Sequence, residues 1–125
     1  DKGLLASSMS ISLGGIGAAL AKKSIAAQMG IQIDLDKIAI TDDDKETLHN
    51  RPDYVLFSES QSRILVTVEP KNKDEFEKLF AKIPHAEIGQ ITDGQSFVIR
   101  HKNQDLINLS VKDLDEAYKS TFKNY

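Results

Sequence analysis

The stretch YVLFSESQSRILVTVE, Tyr54 to Glu69, sets two short apolar runs around a polar loop, and the fold turns on how its halves are read. Tyr54-Val55-Leu56-Phe57 and Ile64-Leu65-Val66-Thr67-Val68 are rich in β-branched and aromatic residues and short for helices, which predicts two strands in the middle of a sheet. Between them, Ser58-Glu59-Ser60-Gln61-Ser62-Arg63 has no Gly, Asn-Gly or Asp-Gly for a two-residue hairpin and instead concentrates hydroxyls, one carboxylate and one guanidinium. Strand ends carrying such groups are where sites are built. A plainer reading also fits: Ser58 and Ser60 satisfy backbone groups, and Glu59 and Arg63 form a surface ion pair worth about 0 to 1 kcal/mol.

Composition narrows the classes. A chain of 125 residues buries a real core without disulfides or metals, so one domain over residues 1–125 is expected. It is 40% hydrophobic and 28% charged, as globular chains are. Sixteen basic residues against 19 acidic ones give a net charge of −3, and no basic block is present to track a phosphate backbone, which argues against nucleic acid. The absence of cysteine excludes disulfides, thiolate chemistry and Cys-based zinc sites and suits a reducing cytoplasm. No apolar run approaches the roughly 20 residues of a membrane helix, and the first residues lack the regions of a signal peptide. Beginning at Asp1 rather than Met, the chain reads as a piece of a longer polypeptide.

Upstream of the central stretch, Met9-Ser10-Ile11-Ser12-Leu13 alternates apolar and small polar residues, which predicts a half-buried strand running from Leu5. Gly14-Gly15-Ile16-Gly17 ends it. A helix is expected to about Met29, stopped by Gly30, with Ile16, Ala19, Leu20 and Ala27 on one side and Ile25 and Met29 widening the arc. A turn without side chains at a helix start exposes backbone N–H groups at the positive dipole end, which suits phosphate, and Ser12 adds a hydroxyl. The spacing Gly15-x-Gly17-x-Ala19 only loosely echoes a dinucleotide loop, and the Gly-Lys-Ser/Thr of a P-loop is absent. Glycines that let a helix approach a sheet closely are the alternative. Residues 31–35 read as a short strand, Thr41-Asp42-Asp43-Asp44 as the start of a short helix to His49, and Arg51-Pro52-Asp53 as a turn. The three aspartates lack the alternate spacing and glycine of a calcium loop.

Downstream, Pro70 ends the sheet strand and Asn72, with Glu75 three residues on, is expected to cap a helix. Phe76, Leu79, Phe80 and Ile83 then give that helix an apolar face to cover a sheet, and Pro84 closes it. Residues 86–91 and 96–101 flank Thr92-Asp93-Gly94-Gln95, a strong hairpin signal, and residues 105–109 add a strand. Ser110 caps the last helix, with Asp113 at its third position, Leu109 placed to staple Leu114, and Leu114, Ala117, Tyr118 and Thr121 facing the core. The result is an α+β fold, a mixed sheet packed with helices. His49, His85 and His101 have no metal spacing and read as surface residues, and no carboxylate pair suggests a hydrolase. Neither a catalytic residue nor a metal ligand is predicted within this chain.

Ser12-Leu13-Gly14-Gly15-Ile16-Gly17-Ala18-Ala19-Leu20-Ala21, then Leu56 to Val68 with its Phe-Ser-Glu-Ser-x-Ser-Arg run, then Ile88-Gly89-Gln90-Ile91, together resemble the C-terminal domain of the phosphoribosylformylglycinamidine synthase large subunit. That family belongs to the aminoimidazole ribonucleotide synthetase-like superfamily. Its members commonly carry His-Asp-x-Ser-Asp/Glu-Gly-Gly where this chain has Met9-Ser10-Ile11-Ser12-Leu13-Gly14-Gly15, so the polar His, Asp and second acid are absent while Ser12, Gly14 and Gly15 are kept. The resemblance implies an ATP-dependent amidine-forming ligase of purine biosynthesis. Its cofactors are ATP and Mg2+, and its partners a glutaminase subunit, a small accessory subunit and the preceding domains of the same enzyme, which hold the catalytic histidine and most nucleotide ligands. It implies too that this chain lacks the opening strand and helix of its own domain. Ser12, Gly14 and Gly15 are then expected to hold a phosphate, and Ser58, Glu59, Ser60 and Arg63 to shape the adjoining wall or hold the strand turn. The alternatives are a non-catalytic interaction domain, which Met9 and Leu13 permit, or another phosphate-activating superfamily enzyme.

Overall fold

The structure is a computed structural model that describes residues 3–40 and 50–120. The expected helix over residues 41–49, with His49, and the position of Thr121 lie outside the described residues. Helices and strands alternate as β1 (Leu5–Ser10), α1 (Gly15–Ala27), β2 (Gly30–Asp34), α2 (Pro52–Phe57), β3 (Ile64–Val68), α3 (Lys73–Phe80), β4 (Gly89–Thr92), β5 (Ser96–His101), β6 (Gln104–Ser110) and α4 (Val111–Ser120), which is the expected α+β class. The strands form two sheets rather than one. Among the described residues β1 pairs antiparallel with β3 alone, and a mixed sheet runs β4-β2-β5-β6 with β2 and β5 parallel.

The core lies where α1 and α2 meet the mixed sheet. Ile31 pairs with Phe97 and Ile33 with Ile99 in parallel register, so these four side chains share one face and are buried with Ile16, Ala19, Leu20, Val55 and Leu56. Ile99 is fully buried, worth about 1.5 to 3 kcal/mol for such a side chain. The other face carries Gln32, Asp34 and Arg100 around a shallow polar hollow.

Several local expectations are corrected. Tyr54 to Phe57 is helical: Pro52 stands at the first helical position with Asp53 in the first turn, both start signals. Its adjacent Val55 and Leu56 are buried while Tyr54 and Phe57 are exposed, a distribution that fits a helix and contradicts a strand. The strand upstream stops at Ser10, and Leu13, expected inside, is 76% exposed in the turn. α1 ends at Ala27 because Gln28 adopts a left-handed conformation, with φ 53°; Ala27 is exposed and Gly30 already belongs to β2.

The Asp93-Gly94 turn joins strands that are not partners. β4 and β5 flank β2, and the turn passes over the start of β2, where Gly30 donates its N–H to the Gly94 carbonyl at 2.6 Å. A Cβ on Gly30 would stand 2.6 Å from the Ser96 oxygen and 2.7 Å from Thr92 Oγ1, so this crossing requires glycine. A local hairpin signal was overridden by insertion of a strand distant in sequence.

The third helix does not cover a sheet. None of its residues is buried; Phe76 stacks on Phe80 with centroids 4.5 Å apart, while Leu79 and Ile83 are more than half exposed. Asn72 does not cap it and donates instead to the Leu4 carbonyl at 3.4 Å. In α4, Leu114 packs against the core but Ala117 and Tyr118 are exposed. His85 is exposed, whereas His101 is largely buried and pairs with Asp36 at 2.9 Å.

The capping box of α4 forms as the sequence predicts. Asp113 Oδ2 accepts from Ser110 N–H at 3.2 Å and from its hydroxyl at 2.6 Å, and Asp113 N–H donates to Ser110 Oγ at 3.0 Å. The Ser110 hydroxyl, then its backbone N–H, hold the Asp113 carboxyl below its ordinary value. A depressed folded-state value means that the cap contributes fully above the unfolded-chain value of about 4 and is lost as pH falls through the folded one. Amide protection in the first turn of α4 is therefore expected to fall as the pH is lowered below about 4, and an Asp113→Ala variant to show the low protection already at neutral pH.

Candidate functional site

The two marked stretches meet at one end of the β1–β3 ladder. Ser10 pairs with Ile64, and Ile11 donates its N–H to the Arg63 carbonyl at 2.9 Å, so the glycine turn leaves β1 where the Ser58 to Arg63 loop enters β3. Ser62, at φ 66°, turns the loop into the strand.

The turn is built by glycine at both of its critical positions. Gly14 caps α1 in a left-handed conformation, φ 81°, and Gly15 follows at φ 65°. Gly15 N–H donates to the Ser12 carbonyl at 2.9 Å. A Cβ on Gly15 would lie 2.5 Å from the Leu56 oxygen and 2.7 Å from the Phe57 carbonyl carbon, so the start of α1 touches the end of α2 backbone to backbone.

A carboxylate crosses the gap. Glu59 Oε1 accepts the Gly14 N–H at 2.8 Å, placing an anion at the positive end of α1. Glu59 and Arg63 therefore do not form the surface pair of the plainer reading: the Arg63 guanidinium donates back to the Ser58 carbonyl and ties the loop to itself. Arg63 Nε is buried with no hydrogen-bond partner among the described residues, and burial lowers the guanidinium pKa. Ser58 and Ser60 are exposed with hydroxyls 3.1 Å apart, and Ser60 N–H donates to Ser58 Oγ at 3.4 Å. Ser12 is exposed in the turn. All seven expected residues, Ser12, Gly14, Gly15, Ser58, Glu59, Ser60 and Arg63, thus lie on the glycine turn and the loop that meets it.

The family described as AIR synthase related protein, C-terminal domain, matches residues 2–102. The chain belongs to that family. Among curated relatives of this AIR synthase related domain, the phosphoribosylformylglycinamidine synthase subunit PurL of Caldanaerobacter subterraneus subsp. tengcongensis is 35% identical over 98% of the chain and 15% of the relative. PurL of Methanosarcina acetivorans is 39% identical over 94% of the chain and 14% of the relative. The chain therefore spans about 15% of the length of the curated relatives it matches. Its fold is that of a Thermotoga maritima structure described as PurL complexed with FGAR, with a TM-score of 0.76 and 19% identity over 91% of this chain and 18% of that one. It is also similar to Escherichia coli HypE, with a TM-score of 0.72 and 13% identity over 88% of this chain and 35% of that one.

Sequence reasoning missed two polar clusters in this domain. Asp36 accepts the Lys102 N–H at 2.8 Å beside His101, and Lys23 of α1 donates to Ser7 Oγ and, at 3.2 Å, to Thr67 Oγ1. The second was detectable, because position 23 falls seven residues after Ile16, in line with the apolar stripe of Ile16, Ala19 and Leu20.

The close approach at Gly15 generates a sharp expectation. Gly15→Ala adds both a left-handed strain and a backbone clash, and is expected to destabilise the chain by about 2 kcal/mol or more. Gly17→Ala, whose Cβ would meet the Leu56 oxygen at 3.4 Å and whose backbone is helical, is expected to change stability by less. Urea unfolding midpoints of the two variants, compared at equal m-value, check the order.

Proposed function

We propose that this chain is a C-terminal domain of an ATP-dependent amidine-forming ligase, converting formylglycinamide ribonucleotide, ammonia derived from glutamine, and ATP to the amidine, ADP and phosphate. The observation that carries the reading is the identity of 30 to 39% with PurL proteins along most of the chain. The PurL structures described as complexed with FGAR, ATP and ADP, and the one described as PurLQS, support a nucleotide, this substrate and further subunits as ligands and partners.

In this reading the domain closes one wall of the site and supplies no reacting group. ATP activates the formamide oxygen by phosphorylation, and ammonia displaces phosphate to leave the amidine. The chain's own residues bind and position. The Gly14 N–H donates to the Glu59 carboxylate at 2.8 Å, a bond to an oxyanion of the kind a phosphate takes, which supports this reading. Ser12, Gly14 and Gly15 approach a phosphate with little side-chain bulk in the way, while Glu59 and Ser58, Ser60 and Arg63 set the shape of the turn beside it. Among the described residues no three His, Cys, Asp or Glu side chains cluster as a metal site.

A second reading has its own support. The exposed side chains of Leu79 on α3 and Ile83 just beyond it, and a Gly14 N–H already occupied by Glu59, suit a domain whose work is to pack against the rest of the enzyme.

ADP release by the full-length polypeptide, given ATP, magnesium, ammonium and formylglycinamide ribonucleotide, separates the two. Substrate-dependent release that falls about tenfold or more in a folded Glu59→Ala variant is expected if the braced turn serves the site. Release unchanged by the variant assigns the domain to assembly, and no substrate-dependent release by the wild type overturns the ligase.

A further inference from the structure

Lys23 breaks the pattern of its own helix. Ile16, Ala19 and Leu20 form the buried stripe of α1, and position 23 continues it with an ammonium. The side chain is half-buried and reaches the β1–β3 sheet, where Nζ donates to the hydroxyls of Ser7 and Thr67. These two residues are cross-strand partners, and their hydroxyl oxygens lie 2.8 Å apart.

Counting protons shows what the cluster lacks. The ammonium has three to donate and uses two on the hydroxyls; of the two hydroxyl protons, one serves the Ser7–Thr67 bond. One ammonium proton and one hydroxyl proton remain, next to each other, with no acceptor among the described residues. Ser24, the nearest hydroxyl on α1, is spent on the Met29 carbonyl at 2.6 Å. Burial lowers the Lys23 pKa, and no carboxylate of the described residues pairs with it to offset this. A half-buried cation without a counter-charge loses part of its hydration, which an anion reaching it offsets.

We propose that Lys23, Ser7 and Thr67 form a binding site for an oxyanion, a phosphoryl or carboxylate group taken by the two free donors and entering past the exposed Ser7. Two adjacent donors of net positive charge match two oxygens of one oxyanion, and charge-assisted bonds of this kind are about twice as strong as neutral ones. The site is distinct from the glycine turn: Lys23 lies eight residues beyond Gly15, about 12 Å along α1, and it stands whether or not the ligase reading does.

The test is the rate at which formaldehyde and cyanoborohydride methylate Lys23 in the full-length polypeptide, read by mass spectrometry in phosphate, acetate or chloride at equal ionic strength. An oxyanion on the ammonium stabilises its charged form and slows labelling. Phosphate or acetate is expected to slow Lys23 by about fivefold relative to chloride while the exposed neighbour Lys22 is unchanged, and Thr67→Val to abolish the difference. Protection by phosphate alone assigns a phosphoryl ligand, and protection by acetate as well assigns a carboxylate. Equal rates in all three salts overturn the proposal, as does protection that survives in Thr67→Val. Should that variant fail to fold, Ser7→Ala replaces it, and the wild-type comparison with Lys22 decides by itself.

Discussion

The start of α1 touches the end of α2 with no side chain between them, and the rest of the architecture depends on that approach. Gly15 makes it possible, because any Cβ there would overlap the backbone of Leu56 and Phe57. With the two helices in contact, Val55 and Leu56 reach the core beside Ile16 and Leu20. The chain that leaves α2 is then delivered to the end of β1, where Ile11 donates its N–H to the Arg63 carbonyl and Glu59 meets Gly14. The glycines thus serve packing first. Any role at a phosphate is added to a turn whose shape the helix contact already fixes.

That order explains how the candidate site is held. A two-stranded sheet is marginal by itself. β1 and β3 are supported through Met9 and Leu65, which pack against the core, and by the Glu59 bond across their ends. Glu59 lies on the surface, so its bond to Gly14 competes with water, and its effect is to restrict a turn rather than to supply much stability. Restriction is what a binding wall needs.

Much of this was legible in the sequence. Gly14-Gly15 ahead of an Ala-rich run marked a turn into a helix, Ser110 with Asp113 marked a cap, and the alternating Ile31 and Ile33 marked a strand with one face in the core. The failures share a cause. Leu56 and Val55 favour strands by composition, but Pro52 and the burial offered by α1 select a helix, and Asp93-Gly94 favours a local hairpin until β2 inserts between its arms. Both are cases of tertiary packing overriding local preference. The meeting of Glu59 with Gly14, 45 residues apart, was beyond local reading, because it depends on which strand β3 chooses as partner.

The central claim is that the glycine turn and the Ser58 to Arg63 loop form one unit through the Glu59 carboxylate. Hydrogen exchange at the Gly14 amide tests it most directly, since that proton lies in the bond itself. The account predicts a Gly14 amide protected about tenfold or more over an open chain in the wild type, with the protection lost in Glu59→Ala while the amides of β5 stay protected. A Gly14 amide that exchanges at the open-chain rate in the wild type, or at the same slow rate in the variant, would contradict it.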